Sequence, residues 1–290
     1  AHGKKPLKQK EPVVETREVK QSTTDPDSGY MVREGKPKGF FYLDHRTTCG
    51  QHNLITDTHI TAANVHDSIP YLERLDRQRE RFNFETEAVG LDAGYMSAPL
   101  CKGLEDRKLY GVIGYRRPTH IKERLPKRAY VYEADQDIYR CPGGQQLSYR
   151  TTNRDGYREY RSDPELCRNC PWLGQCTSNA QQVKTVTRHV WEDEREKIDA
   201  HRLTREGKAL YKRRKETIER SFADAKQLHG HRYIRMRGLL RAQEQCLLSA
   251  ACQNMKKMAL LLAKEDQKEE TGSIWEFLKR VRRFIEAFLP

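Results

Sequence analysis

Apolar positions in the first half of the chain predict short strands that alternate with helices. The elements expected in order are a hairpin of two strands at Gly39–Cys49 and Leu54–Ala62, a helix with Ile69, Leu72 and Leu75 on its apolar face, a buried strand at Ala88–Leu91, a helix capped by Ser97, and a strand at Leu109–Tyr115. This order is typical of a three-layer α/β fold. The polar segment before Gly39 holds one candidate strand, at Val13–Lys20.

The second half of the chain follows a different pattern. Residues 117–200 contain few long apolar runs, and we interpret them as an inserted subdomain. Helical spacing of apolar residues resumes after this segment. The predicted helices are Thr204–Leu228, with Leu210, Ile218, Phe222 and Ala225 near one face, about 239–264, with Leu240, Leu247, Ala251, Met258 and Leu262 as its apolar positions, and an amphipathic helix that begins at a capping box of Ser273 and Glu276.

These patterns predict five segments. They are a basic polar connector (1–38), the first part of the α/β domain (39–116), a cysteine-bearing insertion (117–200), helices that return to the α/β domain (201–264), and a C-terminal amphipathic helix (265–290).

The charge of the chain indicates a polyanionic partner. It holds 54 Lys and Arg against 41 Asp and Glu, a net charge of +13, and the basic residues concentrate between Arg202 and Arg241. Nucleic acid is the commonest partner of such a surface. No apolar run approaches the roughly 18–20 residues of a membrane span, and the chain does not start with a signal peptide pattern. We therefore expect a cytoplasmic protein that binds nucleic acid rather than a membrane; a basic protein without such a partner is the alternative.

Four cysteines cluster within the insertion, at Cys141, Cys167, Cys170 and Cys176. The two-residue gap between Cys167 and Cys170 suits zinc, and four thiolates complete a tetrahedral structural site. His189 or His201 could replace one cysteine. Free reduced thiols are the alternative to a structural Zn²⁺.

Two acids lie where α/β enzymes collect ligands. Asp92 directly follows a predicted buried strand, at the carboxyl edge of the sheet. Glu219 lies on a predicted helix seven residues before Lys226, so both project from one face. Taken singly, Asp92 could simply cap a turn and Glu219 could belong to a solvated charged helix.

Several separated segments together resemble DDE-class insertion-sequence transposases of bacteria. They are "LDAGYMS" with Asp92, "ETIERSFADAK" with Glu219, and "STTDPDSG", "NVHDS", "TTNRDGYREYRSDP", "TVTRH" and "HGHRYIRMRGL". The resemblance covers nearly all of residues 20–262. It implies an RNase H-like fold, a mixed five-stranded sheet flanked by helices, interrupted here by the cysteine-rich insertion.

One departure from the family concerns the first of its three acids. In this branch that acid lies in an Asp-Gly-Thr strand, and the chain contains no such sequence. The opening "AHGKKP" resembles the connector that follows that strand, so we expect an amino-terminally truncated domain. Asp25 or Asp27 could fill the role, although both lie in a turn sequence.

The resemblance also implies the chemistry. Two Mg²⁺ ions held by carboxylates support cleavage and strand transfer of DNA, with Asp92 bridging both ions and Glu219 holding one. Basic and aromatic residues would hold the transposon ends and target DNA. These are Arg214, Arg220, Lys226, Arg232, Tyr233 and Arg237. A homodimer is expected by analogy. The alternatives are an inactive transposase fragment that only binds DNA and a zinc-ribbon regulator.

Overall fold

A computed structural model describes residues 18–33, 35, 37–117, 121–266 and 274–286. The strands are β1 (Gly29–Met31), β2 (Gly39–Thr48), β3 (Ile55–Ala62), β4 (Ala88–Leu91), β5 (Tyr110–Ile113), β6 (Val131–Glu133), β7 (Ile138–Arg140), β8 (Gln146–Thr152), β9 (Tyr157–Ser162) and β10 (Thr185–His189). The helices are α1 (Tyr71–Phe82), α2 (Ala98–Asp106), α3 (Pro164–Cys167), α4 (Leu173–Cys176), α5 (Glu192–His201), α6 (Arg205–Arg214), α7 (Arg220–Leu228), α8 (Leu239–Asp266) and α9 (Ile274–Glu286). None of the helices in these ranges is long and apolar enough to cross a membrane.

The first half follows the predicted order of strands and helices. Strands β2 and β3 form the expected antiparallel hairpin. Strands β4 and β5, which helix α2 connects, pair directly and in parallel. Helices α1 and α2 pack with β4 and β5 around a core that includes Leu75, Leu104 and Ile113. Ile69 was expected on the apolar face of α1, but it precedes the helix and is 71% exposed. Of the candidate strand Val13–Lys20, residues 13–17 lie outside the described ranges, and residues 18–20 are not in a strand.

Strands β1, β2 and β3 form a three-stranded antiparallel sheet, β4 and β5 form a separate two-stranded sheet, and a groove lies between the two sheets. Among the described strands, β2 pairs along Tyr42–Thr48 only with β3, and β4 pairs only with β5. Each of these two strands therefore keeps one edge without a partner strand. Both line the same groove of about 1030 Å³.

The segment predicted as an insertion, residues 117–200, contains a regular sheet, here called the insertion sheet, that its sequence does not indicate. Strands β6 to β10 form a five-stranded antiparallel sheet in the order β10-β9-β8-β7-β6. Its core is rich in tyrosine, and the hydroxyls of Tyr132 and Tyr160 both donate hydrogen bonds to Asp137. Because short strands and polar tyrosines replace long apolar runs, periodicity alone did not reveal this sheet. Helix α5 lies at the end of the predicted insertion. Its Ile198 is completely buried in the core that contains Leu104 and Ile113.

Helix α8 packs against β3 mainly through residues other than the predicted apolar positions, of which Leu262 alone is buried. Ala242 and Cys246 are buried against Ile60, whereas Leu240 is 74% exposed. The amide side chains of Gln243 and Asn254 each bond both a backbone N–H and a backbone C=O of β3. Polar amides therefore satisfy the edge of β3, which is why the buried stripe of α8 was not visible as an apolar pattern.

The predicted helix Thr204–Leu228 is present as one unbroken run of helical residues, which a π-helical turn divides into α6 and α7. Thr204 caps α6 by accepting a hydrogen bond from the N–H of Gly207. A π-helical turn at Lys215–Glu219 then separates α6 from α7. The predicted capping residue Ser273 of α9 lies outside the described residues.

Candidate active site

Asp92 lies at the carboxyl end of β4 and is held there by its own turn. Its Oδ1 accepts a hydrogen bond of 2.8 Å from the N–H of Gly94, so Asp92 caps the short 3₁₀ turn that follows. Its Oδ2 lies 3.7 Å from Nη2 of Arg214. The carboxylate therefore has one oxygen fixed by the backbone and the other facing helix α6.

Helix α6 approaches β4 and β5 closely because glycines line its path. A Cβ at Gly114 would overlap the hydroxyl of Tyr211. Leu210 would be 3.9 Å from a Cβ at Gly90. This close packing brings the end of α6, with Arg214, to the edge where Asp92 lies.

Glu219 reaches the same point from the π-helical turn. Its Oε1 lies 2.9 Å from Nη1 of Arg214. The side chains of Asp92 and Glu219 are 45% and 49% exposed, whereas that of Arg214 is 18% exposed. The two acids selected from the sequence thus meet on a single guanidinium, where solvent can reach both.

Basic and aromatic residues line the same cavities as these two acids. Arg214, Lys226, Arg232 and Tyr233 line the groove that also contains Asp92. Lys226 and Arg232 line a second cavity, of about 440 Å³, with Glu219. Arg220 and Arg237, also selected from the sequence, are exposed and do not line the groove.

The alternative first acids, Asp25 and Asp27, bind the start of α8 instead. Asp25 accepts hydrogen bonds from the hydroxyl of Tyr42 and the N–H of Gly238. Asp27 accepts one from the N–H of Leu239. Both carboxylates therefore stabilise a helix N-terminus, a structural role.

A second cluster of polar groups, formed around Asp44 of β2, was not selected from the sequence. Ligand atoms of Asp44, His231 and Cys246 lie within 4.8 Å of one another, a spacing that could hold a metal ion. Arg46, 2.7 Å from Asp44, already supplies a positive charge there, and Thr58 and His231 complete the hydrogen bonds of Asp44. Burial alone would raise the pKa of Asp44, but these hydrogen bonds and the charge of Arg46 hold it below its usual value. Cys246 and His231 are far from Asp44 in sequence, so no local motif could have indicated the cluster.

The four predicted zinc ligands line one small cavity at the end of the insertion sheet. The sulfurs of Cys170 and Cys141 both lie close to Gly143, at 3.5 and 3.7 Å from the position that a Cβ would take there. The thiol of Cys176 shares a hydrogen bond with the hydroxyl of Tyr130. Among the described residues, no three of the four cysteine sulfurs all lie within 4.8 Å of one another. Zn–S bonds of about 2.3 Å would therefore require the side chains to close inward. The alternative ligands do not line this cavity: His189 accepts from Trp191 N–H, and His201 bonds Gly111 O.

Residues 140–259 match the family model of the transposase DDE domain. The matched segment contains Glu219, Arg214 and all four clustered cysteines, and it begins after Asp92. This match supports a DDE-class transposase, a class of enzymes that act on DNA, and gives no support to the zinc-ribbon regulator or to an inactive fragment. No curated protein and no solved structure matches the chain.

Proposed function

We propose that this chain supplies the second and third acids of a DDE transposase, which cleaves DNA and transfers its strands with Mg²⁺. The observation that carries the proposal is the meeting of Asp92 and Glu219 on Arg214. Two acids separated by more than a hundred residues come together beside a groove lined with basic side chains. A solvated helix or an isolated turn cap would not require this convergence.

The donor set fits a hard divalent cation. Asp92 and Glu219 offer carboxylate oxygens, which Mg²⁺ prefers, and both are open to solvent. When bound, Mg²⁺ would supply the charge that stabilises the attacking and leaving oxygens at phosphorus. The backbone N–H of Gly94 holds Oδ1 of Asp92. The other oxygen of Asp92, Oδ2, is thereby directed toward Arg214, which also pairs with Glu219.

The basic residues of the groove would hold the DNA backbone. Lys226 and Arg232 flank Glu219 and also line the groove with Asp92. Tyr233 is 78% exposed, so its ring is free to stack on an unpaired base. Arg220 and Arg237 would add affinity from outside the groove, by contacts that do not read sequence.

An extended segment that carries the first acid would complete the site. Strands β2 and β4 both line the groove, and among the described strands each has one edge there without a partner strand. A strand antiparallel to β2 and parallel to β4 would join both pairs into one mixed five-stranded sheet. Its acid would lie near Asp92 if it occupied the same sheet edge.

The test is magnesium-dependent nicking of supercoiled DNA by the chain when it is supplied with an extended segment that bears the first acid. We expect nicking that Asp92→Asn or Glu219→Gln reduces by at least about a thousandfold, because each removes an ion ligand. DNA binding, measured by fluorescence anisotropy, should remain within about twofold for both variants.

Asp106→Asn is the matched control, because Asp106 lies at the end of α2 and pairs with Lys102. It should leave nicking unchanged. Unchanged nicking by Asp92→Asn or Glu219→Gln would reject the assignment of these acids.

We also propose that the four clustered cysteines bind one structural Zn²⁺. The support is that all four line one cavity under a sheet with a small core, where a metal would add stability. Protein purified without chelator should contain about one zinc per chain, and Cys170→Ser should lose it while Cys252→Ser, at an exposed site, retains it. Less than half an equivalent of zinc in the unaltered chain would contradict the proposal.

A homodimer is the oligomeric state that we propose. Helix α8 exposes Leu240, Leu248 and Met255, apolar side chains that a second copy could cover. Sedimentation equilibrium should give twice the mass of the chain; a monomer at micromolar concentration would contradict this.

A further inference from the structure

Arg214 occupies the position between the two acids. Its guanidinium places Nη1 at 2.9 Å from Glu219 and Nη2 at 3.7 Å from Asp92. The side chain is mostly covered, and its guanidinium carbon lies 5.8 Å from the centroid of the Tyr211 ring. One monovalent cation thus neutralises part of the charge of both carboxylates.

The π-helical turn is the reason that Arg214 can reach Glu219. In an α-helix, residues five apart point in directions that differ by roughly 140°, so this pair would not meet. A π-helical turn bonds residues five apart and brings them onto one face. The turn spans Lys215–Glu219, directly after Arg214, and therefore converts an unfavourable spacing into an ion pair.

The ion pairs of Arg214 with Asp92 and Glu219 are weak enough for another cation to replace Arg214. Both carboxylates are about half exposed, and ion pairs of such groups contribute only about 0–1 kcal/mol. A divalent ion carries twice the charge and would be repelled by a guanidinium in the same gap. An ion that binds both Asp92 and Glu219 would therefore compete with Arg214 for the two carboxylates.

We propose that Arg214 is the resident counter-cation of the acid pair and that a divalent ion displaces it toward the DNA backbone. The inference rests on the proposed function, because it requires that Asp92 and Glu219 hold the ion. A guanidinium suits phosphate, and Arg214 already lines the groove with Lys226 and Arg232. Ion binding and DNA binding then strengthen each other, and Arg214 acts as a positioning residue.

The experiment measures Mn²⁺ binding to the full 290-residue chain by the electron paramagnetic resonance signal of free Mn²⁺. Arg214→Ala should bind Mn²⁺ about three- to fivefold more tightly than the unaltered chain, because it removes a competing cation. Arg214→Lys retains the positive charge and should restore an affinity close to that of the unaltered chain. Arg213→Ala is the matched control, since Arg213 donates to the carbonyl of Gly50 instead of to the acids, and it should leave Mn²⁺ affinity unchanged.

A second readout follows DNA binding by fluorescence anisotropy of a labelled duplex. Mn²⁺ should raise the DNA affinity of the unaltered chain and of Arg213→Ala, and it should raise that of Arg214→Ala less. A structural role for Arg214 would instead lower both affinities without changing the effect of Mn²⁺ on DNA binding, and this result would overturn the inference.

Failure of the inference is distinguishable from failure of the proposed function. If Asp92→Asn weakens Mn²⁺ binding but Arg214→Ala binds Mn²⁺ no more tightly than the unaltered chain, the acids hold the ion and the inference is wrong. If Asp92→Asn leaves Mn²⁺ binding unchanged, the proposed ion site itself is wrong, and the inference is wrong with it.

Discussion

Two clusters of acid and arginine, one around Asp44 and one around Arg214, contribute to the lining of the same groove but differ in how deeply their acids are buried and how completely those acids are bonded. Asp44 on β2 is 10% exposed and is bonded by Arg46, Thr58 and His231. Asp92 and Glu219 are about half exposed and share the single guanidinium of Arg214. A buried and fully bonded acid stabilises one arrangement of the chain, whereas an exposed and incompletely bonded acid can exchange its partner. The comparison separates a closed cluster, whose acid already has a full set of partners, from an open site whose acids can exchange theirs.

The largest expected effect distinguishes the two arginines by stability. Arg46→Ala should lower the free energy of unfolding by about 3–5 kcal/mol, because it leaves Asp44 buried without its charge partner. Arg214→Ala should cost less than about 1 kcal/mol, because its partners are exposed to solvent. Urea denaturation measures both. Equal losses would remove the distinction between the clusters.

Thiol reactivity tests whether the Asp44 cluster is closed. Burial raises the pKa of Cys246 to about 12, and the charge of Asp44 adds to this. Since the thiolate is the reactive form, alkylation of Cys246 in the folded protein should be about a thousandfold slower than that of an ordinary thiol. Exposed Cys252 serves as the internal reference, and mass spectrometry of the alkylated peptides reports each site. Comparable labelling of the two cysteines would mean that the cluster opens to solvent.

A pH titration of stability tests His45, the buried neighbour of Asp44 on β2. Burial, followed by the charge of Arg74, lowers the pKa of His45 to about 4. The unfolded chain takes up this proton near pH 6.5, so the free energy of unfolding should fall as the pH drops from about 6.5 to 4, by at most about 3 kcal/mol. His45→Asn should flatten this part of the curve. An unchanged slope in the variant would exclude His45 as its source.

The smallest effect is expected from Asp44 at lower pH. Because the pKa of Asp44 is lower in the folded chain than in the unfolded one, its stabilising contribution is complete above about pH 4. This contribution is lost as the pH falls through the folded pKa. Asp44→Asn should remove this acid-dependent loss while Asp106→Asn retains it. Identical acid unfolding of the two variants would contradict the buried charge at Asp44.

The sequence predicted the first half of the fold well, because there apolar residues repeat with a simple period. The β2–β3 hairpin, α1, β4, α2 and β5 all lie where the pattern indicated. Prediction was poorer where polar side chains perform structural tasks. Gln243 and Asn254 satisfy the edge of β3, and Tyr132 and Tyr160 bond Asp137 inside the insertion sheet. Polarity at these positions does not mark exposure, so periodicity is misleading there.

The candidate site was predicted in part. Asp92 and Glu219 were predicted together as ligands of Mg²⁺, a role that stays a prediction, and the structure places both beside Arg214. The role of Arg214 between them was not predicted, because residues five apart do not meet on an α-helix. Only the π-helical turn brings them together.

By itself, the sequence determined the order of the elements in the first half, the excess of positive charge and the residue types that can hold a divalent ion. These are local properties, set by periodicity, composition and side-chain chemistry. The tertiary structure decided which distant groups meet: Asp92 with Arg214 and Glu219 at one edge, and Asp44 with His231 and Cys246 at another. Contacts between residues far apart in the chain depend on how the sheets and helices pack, and no local pattern encodes that packing.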